Sequence, residues 1–225
     1  MTEGRVLDWD SEFWGVRIAQ LSSVDEDGWA QEQGVACAYL LVPSADAGQA
    51  HRAEAAGYRL MDVRVELDVP VTGCPAAVRP HREADVDRLR TIARTNHRDT
   101  RFYADPRFPR DRCDEHYDTW IRRSCEGWAD AVLVADADGK AAGYVSVHRR
   151  ADHGSIGLIG VDGSARSRGL GEALVRGALD WCARDSLPEC RVVTQGRNVA
   201  AQRVFQRCGF RTRSVGLWFH KWFDA

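Results

Sequence analysis

The chain is 225 residues long and 44% hydrophobic, enough to close one large core or two small ones, so it reads as globular. Asp and Glu number 33 against 31 Lys and Arg, and a formal charge of −2 gives no electrostatic basis for binding nucleic acid or an anionic membrane. No stretch approaches the ~18 apolar residues of a membrane span, and Glu3, Asp8 and Asp10 precede any apolar run, so the expectation is a cytoplasmic protein with a small-molecule partner. The seven cysteines, Cys37, Cys74, Cys113, Cys125, Cys182, Cys190 and Cys208, are odd in number and lack paired C-x-x-C spacing. They are expected to be reduced and mostly buried, with no metal bound. A homodimer is compatible with all of this.

In chain order, Trp9, Phe13 and Trp14 read first as core or inter-domain packing. Pro70, Gly73 and Pro75 interrupt helix and central-strand pairing between Asp68 and Ala77. A domain boundary is expected there, separating a small α/β domain at 1–75 from a larger one at 76–225. Ala76 to Val78 can form a short strand, and Glu83-Ala84-Asp85 followed by Val86, Leu89, Ile92 and Ala93 has amphipathic helical spacing that fades near Thr95. Asn96 to Arg112, with Pro106 and Pro109, reads as an irregular loop of the kind that borders sites. Helical spacing returns over Asp114 to Cys125 through Tyr117, Trp120 and Ile121. Strands are then expected at Ala131–Ala135 and Gly143–Val147, joined by an Asp138-Gly139 turn. The most apolar strand, Ile156 to Val161, runs into Gly163–Gly171, where a helix opens with Ala173, Leu174, Ala178, Leu179 and Trp181 inward. Beyond Pro188 come a strand at Val192–Gln195, a helix at Asn198–Cys208 and an aromatic strand at Val215–Phe223, with Trp218 and Trp222 on one face. The order is α/β. A weak repeat relates Ala50-His51-Arg52 to Gly57-Tyr58-Arg59 with Gln202-Arg203-Val204 to Gly209-Phe210-Arg211, which would make the N-terminal domain a half-copy of the other.

The strongest chemical signal is Arg166-Ser167-Arg168-Gly169-Leu170-Gly171, placed between a buried strand and the first turn of a helix. Glycines let the backbone approach a ligand closely. The free N–H groups and positive end of the helix make a site for a diphosphate, to which the arginines add charge. No Lys followed by Ser or Thr comes after the second glycine, so this is not a P-loop.

The segment resembles the signature of the GNAT acetyltransferases: Arg or Gln, two residues, Gly, any residue, then Gly or Ala. That family's second landmark is an Asn opening the next helix, an aromatic near its end and then Gly-Phe, matched here by Asn198, Phe205, Gly209 and Phe210. The resemblance spans roughly residues 76–225. It implies a central mixed sheet flanked by helices, acetyl-CoA or another short acyl-CoA as co-substrate, and a primary amine as acceptor. By position it also implies that Ile159 and Val161 make backbone contacts to the pantetheine arm, and that the Ile159 N–H polarises the thioester carbonyl. A closer resemblance is to members that pair a partial N-terminal domain with a GNAT domain and acetylate the 4-amino group of a nucleotide-linked deoxysugar. It rests on Trp9-Asp10-Ser11, Phe13, Gly15, Arg101-Phe102, Gly143-Tyr144-Val145-Ser146, Ile156-Gly157-Leu158 and Thr194-Gln195. The implied acceptor is an amino sugar. An antibiotic or amino acid derivative is the alternative, as is an acyl-CoA-binding module without useful turnover.

Aminolysis of a thioester needs a neutral amine, a polarised carbonyl and a proton for the departing thiolate. No Asp or Glu lies between Ile156 and Val161, where many relatives carry a carboxylate. His148 is the candidate base, because Tyr144, Ser146 and His148 share a strand face. The acid position, Tyr in many relatives, is Phe205, which has no proton to give. On the acceptor side the candidates are Arg101, Tyr103 and Arg107 in the 96–112 segment, with Gln195 at its strand end.

Overall fold

Apolar residues occupy both faces of the long central strands, so the sheet they form has to be covered on both sides. The computed structural model describes residues 4–73 and 75–223. Glu3, and Cys74 with its expected reduced thiol, lie outside the described residues. The strands are β1 (Arg5–Val6), β2 (Ile18–Leu21), β3 (Cys37–Pro43), β4 (Arg59–Pro70), β5 (Arg79–Pro80), β6 (Ala131–Ala137), β7 (Lys140–Arg149), β8 (Gly154–Val161), β9 (Glu189–Gln195) and β10 (Arg211–Trp222). The helices are α1 (Asp8–Trp14), α2 (Asp27–Glu32), α3 (Ala47–Ala55), α4 (Val86–Asn96), α5 (Arg101–Ala104), α6 (Arg110–Arg123), α7 (Leu170–Arg184) and α8 (Val199–Arg207).

All ten strands form one sheet in the order β1-β2-β3-β10-β4-β9-β8-β7-β6-β5, parallel at β2/β3 and β8/β9 and antiparallel elsewhere. It is the mixed sheet flanked by helices that the resemblance implied. On one face Val65, Leu67 and Val192 pack with Leu174 and Phe205 of α7 and α8, and Leu40, Val42 and Phe219 pack with Ala30 and Ala53 of α2 and α3. On the other, Tyr39, Tyr144 and Leu158 pack with Trp14, Ile92, Phe102 and Tyr117 of α1, α4, α5 and α6. Cys37, Cys113, Cys182 and Cys190 are buried free thiols and Cys125 is half-buried. Among the described residues no helix is long and apolar enough to cross a membrane.

The order of the four middle strands is set by exchange. The units β3-α3-β4 and β9-α8-β10 each send their last strand across to pair with the other's first: β10 with β3, and β4 with β9. The two exchanged strands then pair with each other. Both helices have nine residues and an N-cap side chain, Asp46 accepting from Gln49 N–H and Asn198 from Ala201 N–H. Both are followed by a left-handed glycine, Gly57 at φ +85° and Gly209 at φ +92°, and then by a 12-residue strand. These are the segments of the weak sequence repeat. Strands from either side of the Pro70–Pro75 connector therefore alternate within a single sheet.

Three local expectations differ from what forms. The short strand expected at 76–78 lies at Arg79–Pro80. The 96–112 segment contains α5 and the first turn of α6, with Phe102, Tyr103 and Phe108 buried. Its prolines lie just after α5 or at the N-cap of α6, Pro109, where a missing N–H costs nothing. The last strand starts at Arg211, where exposed Arg, Thr and Ser residues hide it from apolar patterning.

Leu67 on β4 is fully buried beneath α7 and α8. Leu67→Ala should cost about 2–5 kcal/mol, and because β4 is hydrogen-bonded on both edges, thermal unfolding followed by tryptophan fluorescence and by far-UV circular dichroism should shift as one transition.

Candidate active site

The site begins with a bulge. Val145 pairs with Ile159 and Val147 with Ile156, so β8 carries one residue more than β7 across this interval. The displaced N–H of Leu158 donates to Ser146 Oγ at 2.8 Å. Gly157 is required there, since a Cβ would lie 2.6 Å from His148 Nε2 and 2.9 Å from Ser146 Oγ. On its other edge β8 pairs with β9 only over Gly154–Ile156, opposite Cys190–Val192, and beyond that point the two parallel strands part. Asp162 N–H donates to Ala142 O at 2.8 Å. By antiparallel alternation Gly160 also faces β7, while Ile159 and Val161 turn their N–H and C=O groups to the open edge. An extended amide-bearing arm could be bound there as a strand is.

The open edge leads into the Arg166–Gly171 loop. Asp162 Oδ1 accepts from Ser164 N–H at 2.8 Å and fixes a turn over Gly163–Ala165. Ser167 at φ +63° and Gly169 at φ +80° then bring the chain into α7. Unlike α3 and α8, α7 has no side-chain N-cap. Its first helical bond runs from Ala173 N–H to Gly169 O, so the N–H groups of Leu170, Gly171 and Glu172 have no intrahelical partner. Arg166 is held by Asn96 Oδ1 at 3.2 Å, and Arg168 by Asp138 of the β6–β7 turn at 2.8 and 3.1 Å. Both arginines are exposed, so exchanging these partners for a phosphate buries little new charge. The loop fits a diphosphate.

Across the gap stand the end of β9 and the start of α8. Gln195 is half-buried and pairs with Arg64 of β4. Asn198 spends its oxygen on Ala201 N–H at 3.1 Å, leaving its amide NH2 for a ligand. Phe205, expected to contact the cofactor, is 1% exposed and packs against Phe210 with ring centroids 5.6 Å apart. It is core beneath the cleft rather than an exposed wall.

His148 does share a face with Tyr144 and Ser146, but it lies under Trp128, 5.9 Å between ring centroids, and pairs with Ser155. Its imidazole reaches across to β8, where a Cβ on Gly157 would lie 2.6 Å from Nε2, two residues before Ile159. Tyr103 is also not displayed: it is buried, and its hydroxyl donates to Asp114. Arg101 is half-buried, with its guanidinium carbon 4.0 Å from the Tyr39 ring centroid and 4.3 Å from that of Trp218, the residue paired with Asp62.

Two groups escape sequence reading. Asp62, on β4, is 4% exposed and lines a cavity of about 170 Å³ with Leu60, Met61, Val63 and Arg197, just past the strand end where Gln195 pairs. Burial raises its carboxyl to about 6, against the pull of Arg197, 3.8 Å away, of the Val63 N–H at 2.9 Å and of Arg101. His97, at the end of α4, has Nε2 2.8 Å from the hydroxyl of Tyr144, which lies beneath Gly160. Burial pushes this imidazole down to about 4, so it is neutral at pH 7.

An open strand edge that ends at an uncapped, glycine-started helix, with a buried carboxyl group across the gap, is an arrangement suited to an acyltransferase. The chain belongs to the GNAT acetyltransferase family, whose model matches residues 86–210. It is 26% identical to dTDP-fucosamine acetyltransferase of Escherichia coli O6:H1 over 96% of each chain. It is 24% identical to the spore coat polysaccharide biosynthesis protein SpsD of Bacillus subtilis over 64% of this chain, spanning half of that one. In fold it is similar to a GCN5-related N-acetyltransferase from Sphaerobacter thermophilus, with a TM-score of 0.66 at 15% identity over 97% of this chain and 76% of that one.

The two loop glycines should behave differently. Gly169→Val forces a β-branched residue to φ +80° and should weaken acetyl-CoA binding about tenfold or more, equivalent to about 1–2 kcal/mol of left-handed strain. At Gly171 a Cβ meets only Val204 methyls at 3.7 Å, so Gly171→Ala should bind within about twofold of wild type by calorimetry.

Proposed function

We propose that this enzyme transfers an acetyl group from acetyl-CoA to the primary amine of an amino sugar carried on a nucleotide. The observation behind this reading is the match to dTDP-fucosamine acetyltransferase along 96% of both chains, which takes in the N-terminal segment that supplies Asp62. A match confined to the GNAT domain would speak only for the donor.

In this reading Arg166, Ser167, Arg168, Gly169, Leu170 and Gly171 hold the diphosphate of coenzyme A, Ile159 and Val161 hold the pantetheine amides, and Asn198 donates from the far wall. The thioester supplies the activated carbonyl. Ile159 N–H donates to the carbonyl oxygen. Asp62, in place of His148, takes the proton from the acceptor ammonium, and the freed nitrogen pair forms the N–C bond as the C–S bond breaks. The nitrogen gives up its second proton to solvent as the amide forms, and the thiolate takes one from solvent, since Phe205 has none to give. Arg101 and Gln195 hold the acceptor. Residues 1–75 are in this reading a half-copy of the GNAT domain that no longer binds a donor: where residues 76–225 have the arginine-glycine loop, the turn between β2 and α2 has Asp25 and Glu26, whose charge disfavours a diphosphate.

Acetyl-CoA and dTDP-linked 4-amino-4,6-dideoxyhexoses should release free thiol well above the rate without acceptor. Efficient transfer to peptides or aminoglycosides, with none to amino sugars, would overturn the acceptor. Thiol release no faster than in buffer for any amine would leave a binding module.

The base assignment has a pH signature. The Asp62 carboxyl, raised to about 6, acts when deprotonated, so kcat/KM should fall as pH drops below about 6. In Asp62→Asn that limb should vanish and the rate should drop about 10²–10⁴-fold; an unchanged profile would exclude Asp62.

A further inference from the structure

Arg101 is bound in an unusual way. Among the described residues no carboxylate lies within ion-pairing distance of it, and its guanidinium is met by π-faces: Tyr39 at 4.0 Å, Trp218 at 4.3 Å and Phe102 at 4.6 Å. Its one side-chain hydrogen-bond contact is Nη1 to His220 Nε2, 3.3 Å. A guanidinium has five N–H donors and no acceptor, so that His220 nitrogen must present its lone pair. The opposite nitrogen, Nδ1, then carries the proton and donates to Asp105 Oδ2 at 2.8 Å. Asp105 is anchored in turn by Trp222 Nε1–H at 2.9 Å and by the backbone N–H of Arg107 at 3.0 Å. His220 and Asp105 are 1% and 2% exposed, and burial holds the imidazole neutral, pushed down to about 4. His220 also stacks on Tyr39, ring centroids 4.5 Å apart.

We propose that Asp105 and His220 are positioning residues that hold Arg101, with most of its donors unspent, as the receptor for the diphosphate of the acceptor. This rests on the sugar-nucleotide reading above. A neutral acceptor at Nε2 fixes the guanidinium plane without neutralising its charge, which a carboxylate in that position would do. Stacking on Tyr39 and Trp218 keeps the planar fork flat and ready for bidentate contact with phosphate oxygens. Because Tyr39 lies on β3, His220 on β10 and Arg101 on α5, the receptor exists only where the two halves of the sheet meet.

The test is calorimetric titration of the full-length chain with dTDP, without sugar, alongside acetyl-CoA. Arg101→Gln should weaken dTDP about 10–100-fold, as expected for losing hydrogen bonds to a charged group, and Arg101→Lys should not restore it. His220→Leu should weaken dTDP about fivefold or more, while His220→Gln, which keeps an oxygen near the Nε2 position, recovers part of the loss. In all of them acetyl-CoA affinity should stay within about twofold, and the acceptor KM should rise while the acetyl-CoA KM does not. Asp105→Asn substitutes if His220→Leu fails to fold. The inference is overturned if wild type does not bind dTDP, if Arg101→Gln binds it normally, or if the His220 variants lose both ligands equally. Arg101-dependent dTDP binding without acetyl transfer to amino sugars would sink the sugar-acceptor reading and leave the receptor standing; transfer without such binding would do the reverse.

Discussion

Backbone amides that leave a sheet have to find another partner, and the site exists because β8 and β9 stop pairing after Ile156 and Val192. The bulge at Gly157–Leu158 decides which groups of β8 then face the gap, and Ser146 takes up the one N–H that the bulge would otherwise orphan. The proposed donor side follows from that edge: Ile159 and Val161 turn their amides outward, where an extended arm would be held, and the strand delivers the chain into the loop before α7. The gap stays open because each strand is already held on its far edge, β9 by β4 and β8 by β7. Neither can rotate inward without breaking an existing ladder.

Charge is divided between the two sides of the gap. The donor side offers backbone N–H groups and two exposed arginines, whose present partners, Asn96 and Asp138, are easily exchanged. The acceptor side places a buried carboxylate, Asp62, and a cation, Arg101, within electrostatic reach of each other without a direct ion pair. Had they been in contact, the carboxyl would sit low and make a poor base, and the guanidinium would be spent. Aromatic rings separate these roles by supplying Arg101 with π-faces in place of a counter-ion.

What could be read from the sequence is what is local. The Arg166–Gly171 loop is legible because a strand, glycines at special φ and a helix start are consecutive; that Ile159 and Val161 lie on an open edge depends on where β8 and β9 stop pairing, which the sequence alone does not state. Asp62 was invisible, because it reaches the site only through β4 crossing between β9 and β10, a pairing between residues more than a hundred positions apart. His220 and Asp105 were missed for the same reason. Tyr103 and Phe205 were misplaced because residue type indicates a contact but not which way the ring points: one hydroxyl is taken by Asp114 and the other ring by Phe210. His148 shares a strand face with Tyr144 and Ser146 as alternation predicts, but its cover by Trp128 comes from a turn distant in sequence and could not be read locally. The 96–112 segment looked irregular because Arg and Pro dominate its composition, although its aromatic residues are the buried face of α5 and the turn that follows.

The exchange of β4 and β10 has a consequence for how such a protein can change over time. An ordinary appended domain can be lost, leaving its neighbour intact. Here, removing the first half would withdraw β4 from between β9 and β10 and strip β10 of β3 as well, exposing unpaired edges in the middle of what remains. The first half is thereby retained as structure, and a strand held for that reason is free to acquire chemistry, such as that proposed for the carboxyl group at position 62. Two halves built in this way can diverge in function but can no longer part company.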